Sequence, residues 1–182
     1  MKLGRLVNNE EIPHVYENIF EEITYKNGIK CVLLASSGSI AGIMMELGKY
    51  IEGPWFILYV LLTPHTGESG RYQSIQIESY DGVLAFMTKY RDFIDGDGRH
   101  NVWIGSTSEH GMLVYDNHNR LFAYGKIDKY VEWLKTRGFK MGTVVIPAPH
   151  SHHYHAENAV HERSLLNEWE WKRFPLQDSD DP

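Results

Sequence analysis

Three short apolar stretches in the middle of the chain, separated by polar connections, most constrain what this chain can fold into. They run from Val102 to Gly105, from Met112 to Tyr115 and from Leu121 to Tyr124. The connections, residues 106–111 and 116–119, contain Ser, Gly, Asn and Asp, which favour turns. Strands joined by such short connections pair antiparallel, so the pattern predicts a three-stranded meander near residues 102–124.

The remaining apolar patterns predict helices and strands on both sides of this meander. Helical spacing of apolar residues predicts helices over residues 13–26, 40–51, 79–94, 127–137 and 157–168. Continuous or alternating apolar runs predict strands over residues 29–35, 55–63, 71–77 and 139–146. Residues 43–47 also fit a strand, and residues 168–172 fit either a helix or a short strand.

These elements together favour an α+β fold. It is expected to be a single layered domain in which helices pack on a mostly antiparallel sheet. One parallel crossover is expected near the N-terminus if the strands at 29–35 and 55–62 flank the helix at 40–51.

The domain organisation follows from length and from one clear break. A chain of 182 residues fits one domain, 1–182. The Glu52-Gly53-Pro54 break offers an alternative, in which an N-terminal extension, 1–53, joins a main body, 54–176. Residues 177–182 are polar and are expected to form a flexible tail.

Composition narrows the classes of partner. The net charge is −6, and no cluster of Lys and Arg is long enough to predict nucleic-acid binding. No stretch approaches the roughly 20 apolar residues of a membrane helix, so no membrane partner is expected. Cys31 is the only cysteine, which rules out an intramolecular disulfide and favours a reducing compartment. We therefore expect a cytoplasmic protein.

Half of the chain's ten histidines lie within residues 147–161, and they are the strongest candidates for chemistry. Two prolines favour extended backbone there, so His150 and His152 are expected to share one face. Such an i, i+2 pair suits two metal ligands, with zinc, iron or nickel as the candidate ions.

Further ligands would have to come from other parts of the chain or from later in the same segment. Asp116 and His118 have the same spacing at a turn of the meander, and His155 follows the pair. Further acidic and imidazole groups lie just downstream, at Glu157, His161 and Glu162. The predicted metal ligands are therefore His150, His152, His155, Asp116 and His118.

Two alternatives to the metal site stay open. The segment could be an exposed or hydrogen-bonded histidine loop, because the chain has neither His-Glu-x-x-His nor a cysteine pair. It could also serve acid–base catalysis without a metal, with His150 or His155 as the base and Asp116 orienting it.

The aromatic C-terminal stretch suggests a second kind of site. Trp169, Trp171 and Phe174 would form a partner-binding patch if they are exposed, and would close the core if they fold back.

Two functional hypotheses follow. The first is a small non-enzymatic protein that binds a protein partner, with the general character of immunity proteins or inhibitors. Compact size, acidity, aromatic richness and the absence of catalytic motifs favour it. The alternative is a metal-binding protein or metal-dependent enzyme that uses the histidine segment 150–161. In that case metal occupancy should fall below about pH 6, because protons compete for imidazole nitrogens.

Overall fold

The structure, a computed structural model, describes residues 2–8 and 10–180. Its strands are β1 (Leu3–Val7), β2 (Glu10–Pro13), β3 (Ile19–Thr24), β4 (Lys30–Ala35), β5 (Trp55–Leu61), β6 (Gly70–Gln73), β7 (His100–Ser106), β8 (Met112–Tyr115), β9 (Arg120–Tyr124), β10 (Lys140–Met141), β11 (His150–His152) and β12 (Lys172–Phe174). Its helices are α1 (Ile40–Leu47), α2 (Tyr80–Gly96), α3 (Ile127–Thr136) and α4 (Ala159–Leu166), with 3-10 turns at Gly48–Tyr50, Ala156–Asn158 and Asp178–Asp180. The predicted α+β fold is confirmed.

The strands form two sheets. The larger has nine strands in the order β10-β3-β4-β9-β8-β7-β5-β6-β12, and the smaller has three in the order β11-β1-β2. The predicted meander is confirmed, because β7, β8 and β9 pair antiparallel in sequence order. Their polar connections reverse the chain as turn chemistry requires.

The crossover predicted near the N-terminus is present, but its two strands do not pair with each other. Helix α1 does connect β4 to β5, and four successive antiparallel pairings leave these two strands pointing the same way. They are not neighbours, however, because β9, β8 and β7 lie between them. The parallel pairing in the described residues is instead β10 with β3, at the edge of the sheet.

The main core lies between the nine-stranded sheet and the helices. Alternate residues of the strands, such as Tyr59 and Tyr115, point to this side and pack against α1, α2 and α3. On the other face, a small cluster around Leu3, Tyr16 and Leu33 covers one end of the sheet. At that end both faces of the large sheet are buried, because β1 packs against the second face. The histidine segment, which pairs with β1, is thereby held against the large sheet.

The helix predicted over residues 13–26 is wrong. Residues Ile19–Thr24 form β3, which pairs with β4 along its whole length. Phe20 points into the main core while Ile19 and Ile23 pack on the opposite side, so the apolar residues follow the two-residue period of a strand. Val15, which has the spacing of an apolar helical position, is 65% exposed. Pairing with a buried neighbour has outweighed local helical spacing.

Both ambiguous segments have a definite structure. Residues 43–47 belong to helix α1, which begins after Ser39, whose Oγ accepts from the Gly42 amide at 2.8 Å. Residues 168–171 form neither a helix nor a strand, and the strand β12 begins only at Lys172. The strand predicted over 139–146 shrinks to the two residues of β10.

Residues 1–53 and 54–176 both contribute strands to the nine-stranded sheet, and their division into an extension and a body stays a prediction. Within the expected tail, Asp180 is 2% exposed and its carbonyl accepts from Asn101 Nδ2 at 2.7 Å. The predictions for the ends of the chain include residues 1, 181 and 182, which lie outside the described residues, as does residue 9.

The three-stranded sheet holds the histidine segment in place. Strand β1 is central, and its register places Leu3 opposite His152 and Arg5 opposite His150. Gly4 lies between them on the other face of the sheet. A Cβ there would lie 2.6 Å from His153 Nε2, 2.7 Å from Ser151 Oγ and 2.8 Å from a Glu11 oxygen. The sheet therefore needs a glycine at position 4.

We expect Gly4→Ala to lower the free energy of unfolding by about 1–3 kcal/mol, because the new methyl group overpacks this contact. Urea unfolding of the purified protein measures the change. Gly96→Ala is the matched control, since a Cβ there meets nothing within 4 Å, and it should change stability by less than about 1 kcal/mol. Equal effects of the two substitutions would show that β1 does not approach β11 as closely as described.

Candidate metal centre

Three imidazoles converge where the meander meets the three-stranded sheet. His118, His150 and His152 each offer a ring nitrogen, and these atoms lie within 4.8 Å of one another. The ring centroids are 5.1 Å apart for His118 and His150, 4.8 Å for His118 and His152, and 5.3 Å for His150 and His152. A tetrahedral ion with bonds of about 2.0–2.1 Å needs ligand atoms roughly 3.3 Å apart, so small ring rotations would complete the site.

Two separate elements supply these ligands. His118 lies in the connection between β8 and β9 and is 3% exposed. His150 and His152 lie on β11, where the two-residue period of a strand places both rings on one face. His150 is the exposed member, so the cluster is closed on the His118 side and open to solvent on the His150 side.

Hydrogen bonding orients the ring of His150. Its Nδ1 lies 3.0 Å from the carbonyl oxygen of Pro147, which can only accept, so Nδ1 carries the proton. Nε2 of the neutral ring then keeps its lone pair for a metal. A ligand histidine whose other nitrogen donates to a carbonyl is the arrangement commonly found around bound metals.

Asp116 lies beside His118 rather than in the cluster. Its Oδ2 is 3.8 Å from His118 Nδ1, and its Oδ1 accepts from the His118 amide at 3.1 Å. Among the described residues, His118 Nδ1 is buried without a hydrogen-bond partner. If His118 binds a metal through Nε2, a small rotation would let Nδ1–H donate to Asp116.

Asp116 is held in its ionised form. Burial by itself would raise its pKa, but the adjacent His118 together with the hydrogen bonds and charge of Arg120 outweighs burial and lowers it. Arg120 donates to the carboxylate from Nε at 2.8 Å and approaches it with a terminal nitrogen at 2.7 Å. Because Arg120 already occupies this carboxylate, Asp116 is placed to orient His118 rather than to bind an ion directly.

The other predicted ligand, His155, is not in the cluster. Its Nδ1 lies 3.6 Å from a Glu157 oxygen, and its ring stacks on His153 at 6.4 Å. Of the further candidates, His161 stacks on Phe93, and Glu162 is buried elsewhere. The structure therefore brings together three of the five predicted ligands and places a fourth, Asp116, next to them.

A buried ion network that sequence reasoning missed anchors the chain just after β11. Asp97 accepts from Arg99 Nε at 2.8 Å, from the His155 amide at 3.2 Å and from Asn158 Nδ2 at 3.0 Å. Burial would raise the pKa of Asp97, but these hydrogen bonds and the charge of Arg99 lower it. Arg99 also reaches Glu162, at 3.2 Å. In the sequence, the one indication of this network is Asp97 just after α2, and an aspartate at that position is equally typical of a helix end.

Glu162 fixes the other end of this network. Its carboxylate accepts from the amides of His65, Thr66 and Gly67 at 2.7–3.1 Å, and from the Thr66 hydroxyl at 3.0 Å. These donors outweigh burial and lower its pKa. Glu162 is therefore a structural group that ties α4 to the loop after β5, and it is not a metal ligand.

Lys2 adds a buried positive charge beneath the histidine segment. Its Nζ lies 3.7 Å from the centre of the Tyr115 ring and donates to the Ile94 carbonyl at 3.4 Å. Burial lowers the pKa of Lys2 to about 8. Its own carbonyl accepts from the His153 amide at 3.1 Å, so the residue also tethers the segment.

The three aromatic residues predicted to bind a partner are divided between two places. The Trp169 ring stacks on Phe86 at 4.7 Å, and Trp171 donates from Nε1 to the Leu165 carbonyl at 3.1 Å. Both are partly buried against the main core. Phe174 lies in β12, is 37% exposed and lines a cleft on the opposite side.

That cleft lies on the face of the nine-stranded sheet opposite the main core, and within the described residues none of the helices α1 to α4 lines it. It has a volume of about 540 Å³ and is lined by Phe56, Trp103, Arg71 and Phe174, among others. The Arg71 guanidinium lies over the Trp103 ring at 5.0 Å. The cleft combines aromatic surface with a cation, and it is separate from the histidine cluster.

No protein-family model, curated protein or solved structure matches this chain. Within residues 2–8 and 10–180, none of the helices combines the length and the apolar surface needed to cross a bilayer. Any function proposed for the site has to be argued from the geometry of its own residues.

Proposed function

We propose that this protein binds a divalent transition-metal ion through His118, His150 and His152. The observation that carries the proposal is the convergence of three imidazoles from two distant parts of the chain. Chance proximity on an exposed loop does not account for His118, which is almost fully buried beneath the other two. Neutral imidazole is the commonest nitrogen ligand for such ions in proteins.

Zinc fits this ligand set better than iron or nickel. Three histidines and one open position are a frequent arrangement at zinc centres that activate water. Non-haem iron favours two histidines with one carboxylate, and the nearest carboxylate, Asp116, is already paired with Arg120. Nickel(II) favours square-planar sites, whereas zinc has no geometric preference from its d electrons and accepts an irregular set of three imidazoles.

An ion held in this way would keep a coordination position open to solvent on the His150 side. Zinc lowers the pKa of a bound water to about 7, so such a centre supplies a hydroxide at neutral pH. Asp116 would hold the imidazole of His118 in the required tautomer. The class of chemistry that this favours is attack by a metal-bound water, as in hydrolysis or hydration.

A second candidate function is non-enzymatic binding of a protein partner. The observation that favours it is the aromatic cleft on the large sheet, where Phe56 and Trp103 are only half-buried and Phe174 is 37% exposed. Exposed aromatic surface of this kind is enriched at protein interfaces. The net charge of −6 would steer a basic partner towards the protein.

The first test is metal binding by protein purified without an affinity tag. We expect one zinc per chain by elemental analysis after zinc loading and dialysis. His150→Ala should weaken binding by more than about 100-fold, which exceeds the 10–100-fold effect typical of outer-sphere partners. His155→Ala is the matched control from the same segment and should bind as the wild type does. Equal losses in the two variants, or no binding by the wild type, would contradict the proposal.

Asp116→Asn should weaken zinc binding by about 10–100-fold, because the amide cannot stabilise the His118 imidazole as a carboxylate does. Competition with a chromophoric chelator measures the affinity. Arg120→Gln is the control, since it removes a partner of Asp116 and leaves the carboxylate. If Arg120→Gln lowers zinc affinity as much as Asp116→Asn does, the Asp116–Arg120 pair affects zinc binding by stabilising the turn that carries His118, and not by orienting the His118 ring.

The partner-binding candidate predicts that a basic protein co-purifies with this chain and that Trp103→Ala abolishes the association. Removing a central aromatic anchor typically costs about 2 kcal/mol or more of binding energy. Trp133→Ala, on helix α3, is the matched control and should leave the association intact. Loss of the partner in both variants would point to general destabilisation rather than to this surface.

A further inference from the structure

One face of the three-stranded sheet carries a charged side chain next to the proposed metal ligands. The register places Arg5 directly opposite His150, so the two side chains lie on the same face of the sheet. The intervening residues occupy the other face, where Gly4 approaches Ser151 and His153. Directly opposed residues of an antiparallel pair have Cβ atoms about 4.5–5.5 Å apart, so the Arg5 guanidinium can reach the space above His150.

His14 extends the same face. Its amide donates to the Leu3 carbonyl at 3.0 Å, which continues the pairing of β1 with β2 and aligns His14 with Leu3. Burial lowers the pKa of His14, and the nearby charge of Arg5 lowers it further. The His14 ring therefore lies within the electrostatic reach of the Arg5 guanidinium.

Tyr16 lies beside His14, with the ring centroids 4.4 Å apart and nearly perpendicular. Burial raises the pKa of Tyr16 to about 12, and the charge of Asp116 acts in the same direction. The Tyr16 hydroxyl thus keeps its proton and can donate a hydrogen bond. The Tyr16 hydroxyl is therefore close enough to the Asp116 carboxylate to feel its charge.

None of these three groups has a hydrogen-bond or ion-pair partner among the side chains of residues 2–8 and 10–180. Among the described residues, Arg5 makes no ion pair, whereas Arg99 and Arg120 each pair with a buried carboxylate. His14 Nε2 and the Tyr16 hydroxyl are buried and have no hydrogen-bond partner within the described residues. Unsatisfied buried polar groups and an unpaired guanidinium favour a ligand that forms hydrogen bonds and carries negative charge.

We infer that the metal centre takes an oxyanion, such as a phosphate or carboxylate group, whose charge is shared between the ion and the Arg5 guanidinium. The inference rests on the proposed metal-binding function. The ion would hold one oxygen at the position that is open on the His150 side. Arg5 would bind the remaining oxygens with its planar fork of donors, which matches the geometry of both groups. His14, which lies opposite Leu3 on the same face, and Tyr16, whose ring packs against His14, are further groups that could hydrogen-bond to an oxyanion.

Titration of the cobalt-loaded protein with inorganic phosphate tests this inference. Cobalt(II) substitutes for zinc, and its visible absorption changes when a new ligand enters the coordination sphere. We expect a saturable change with the wild type. Arg5→Gln should weaken phosphate binding by about tenfold or more, as expected for loss of a hydrogen bond to a charged group. Arg163→Gln, an exposed arginine on α4, is the matched control and should bind phosphate as the wild type does.

A parallel titration with acetate distinguishes the two sources of the oxyanion. Tighter binding of phosphate points to phosphate esters and tighter binding of acetate to carboxylates, and dependence on Arg5 supports the inference in either case. If cobalt binds but neither anion changes the spectrum, or if Arg5→Gln binds both as the wild type does, the inference is wrong while the metal site stands. If cobalt does not bind, the proposed function fails and the inference fails with it.

Discussion

The pairing of β1 with β11 is the interaction on which the candidate centre depends. It joins segments from near the two ends of the chain and sets His150 and His152 over His118. Closing so long a loop costs conformational entropy, and a pairing of three residues offsets little of it. The additional contacts of Asp97, Arg99 and Lys2 with the chain just after His152 supply the missing stabilisation.

The buried charges that anchor this segment are nearly fully satisfied. Removing an ion pair from water is costly unless hydrogen bonds occupy the remaining donors and acceptors. Asp97 meets that condition with two side chains and the His155 amide, and Glu162 meets it with three successive amides and Arg99. A network of this kind tolerates little displacement, so it defines the position of the chain that leaves β11. The candidate centre is therefore built on a rigid base, although its open side faces solvent.

Local patterns predicted the meander, the helices α1 to α4 and the α+β class, because short turns and apolar periodicity act between near neighbours. They failed for β3, since Ile19, Phe20 and Ile23 fit a helical stripe and only pairing with β4 decides for a strand. For the site, the i, i+2 spacing correctly indicated that His150 and His152 share a face. The roles of Asp97 and Arg5 depend on partners far away in the chain, and no local pattern indicates which residues those partners are.

Strand register explains which histidines converge. It also supports the proposal that the centre would bind an anion. His150 and His152 share one face of β11, whereas His153 has the opposite phase and meets Glu11 across Gly4. Three neutral imidazoles leave the two charges of a bound ion uncompensated, and the neighbouring carboxylate of Asp116 is neutralised by Arg120. Arg5 adds a further positive charge on the same face. Coulombic balance thus favours an anion at the open position, because a neutral water ligand would leave this charge uncompensated.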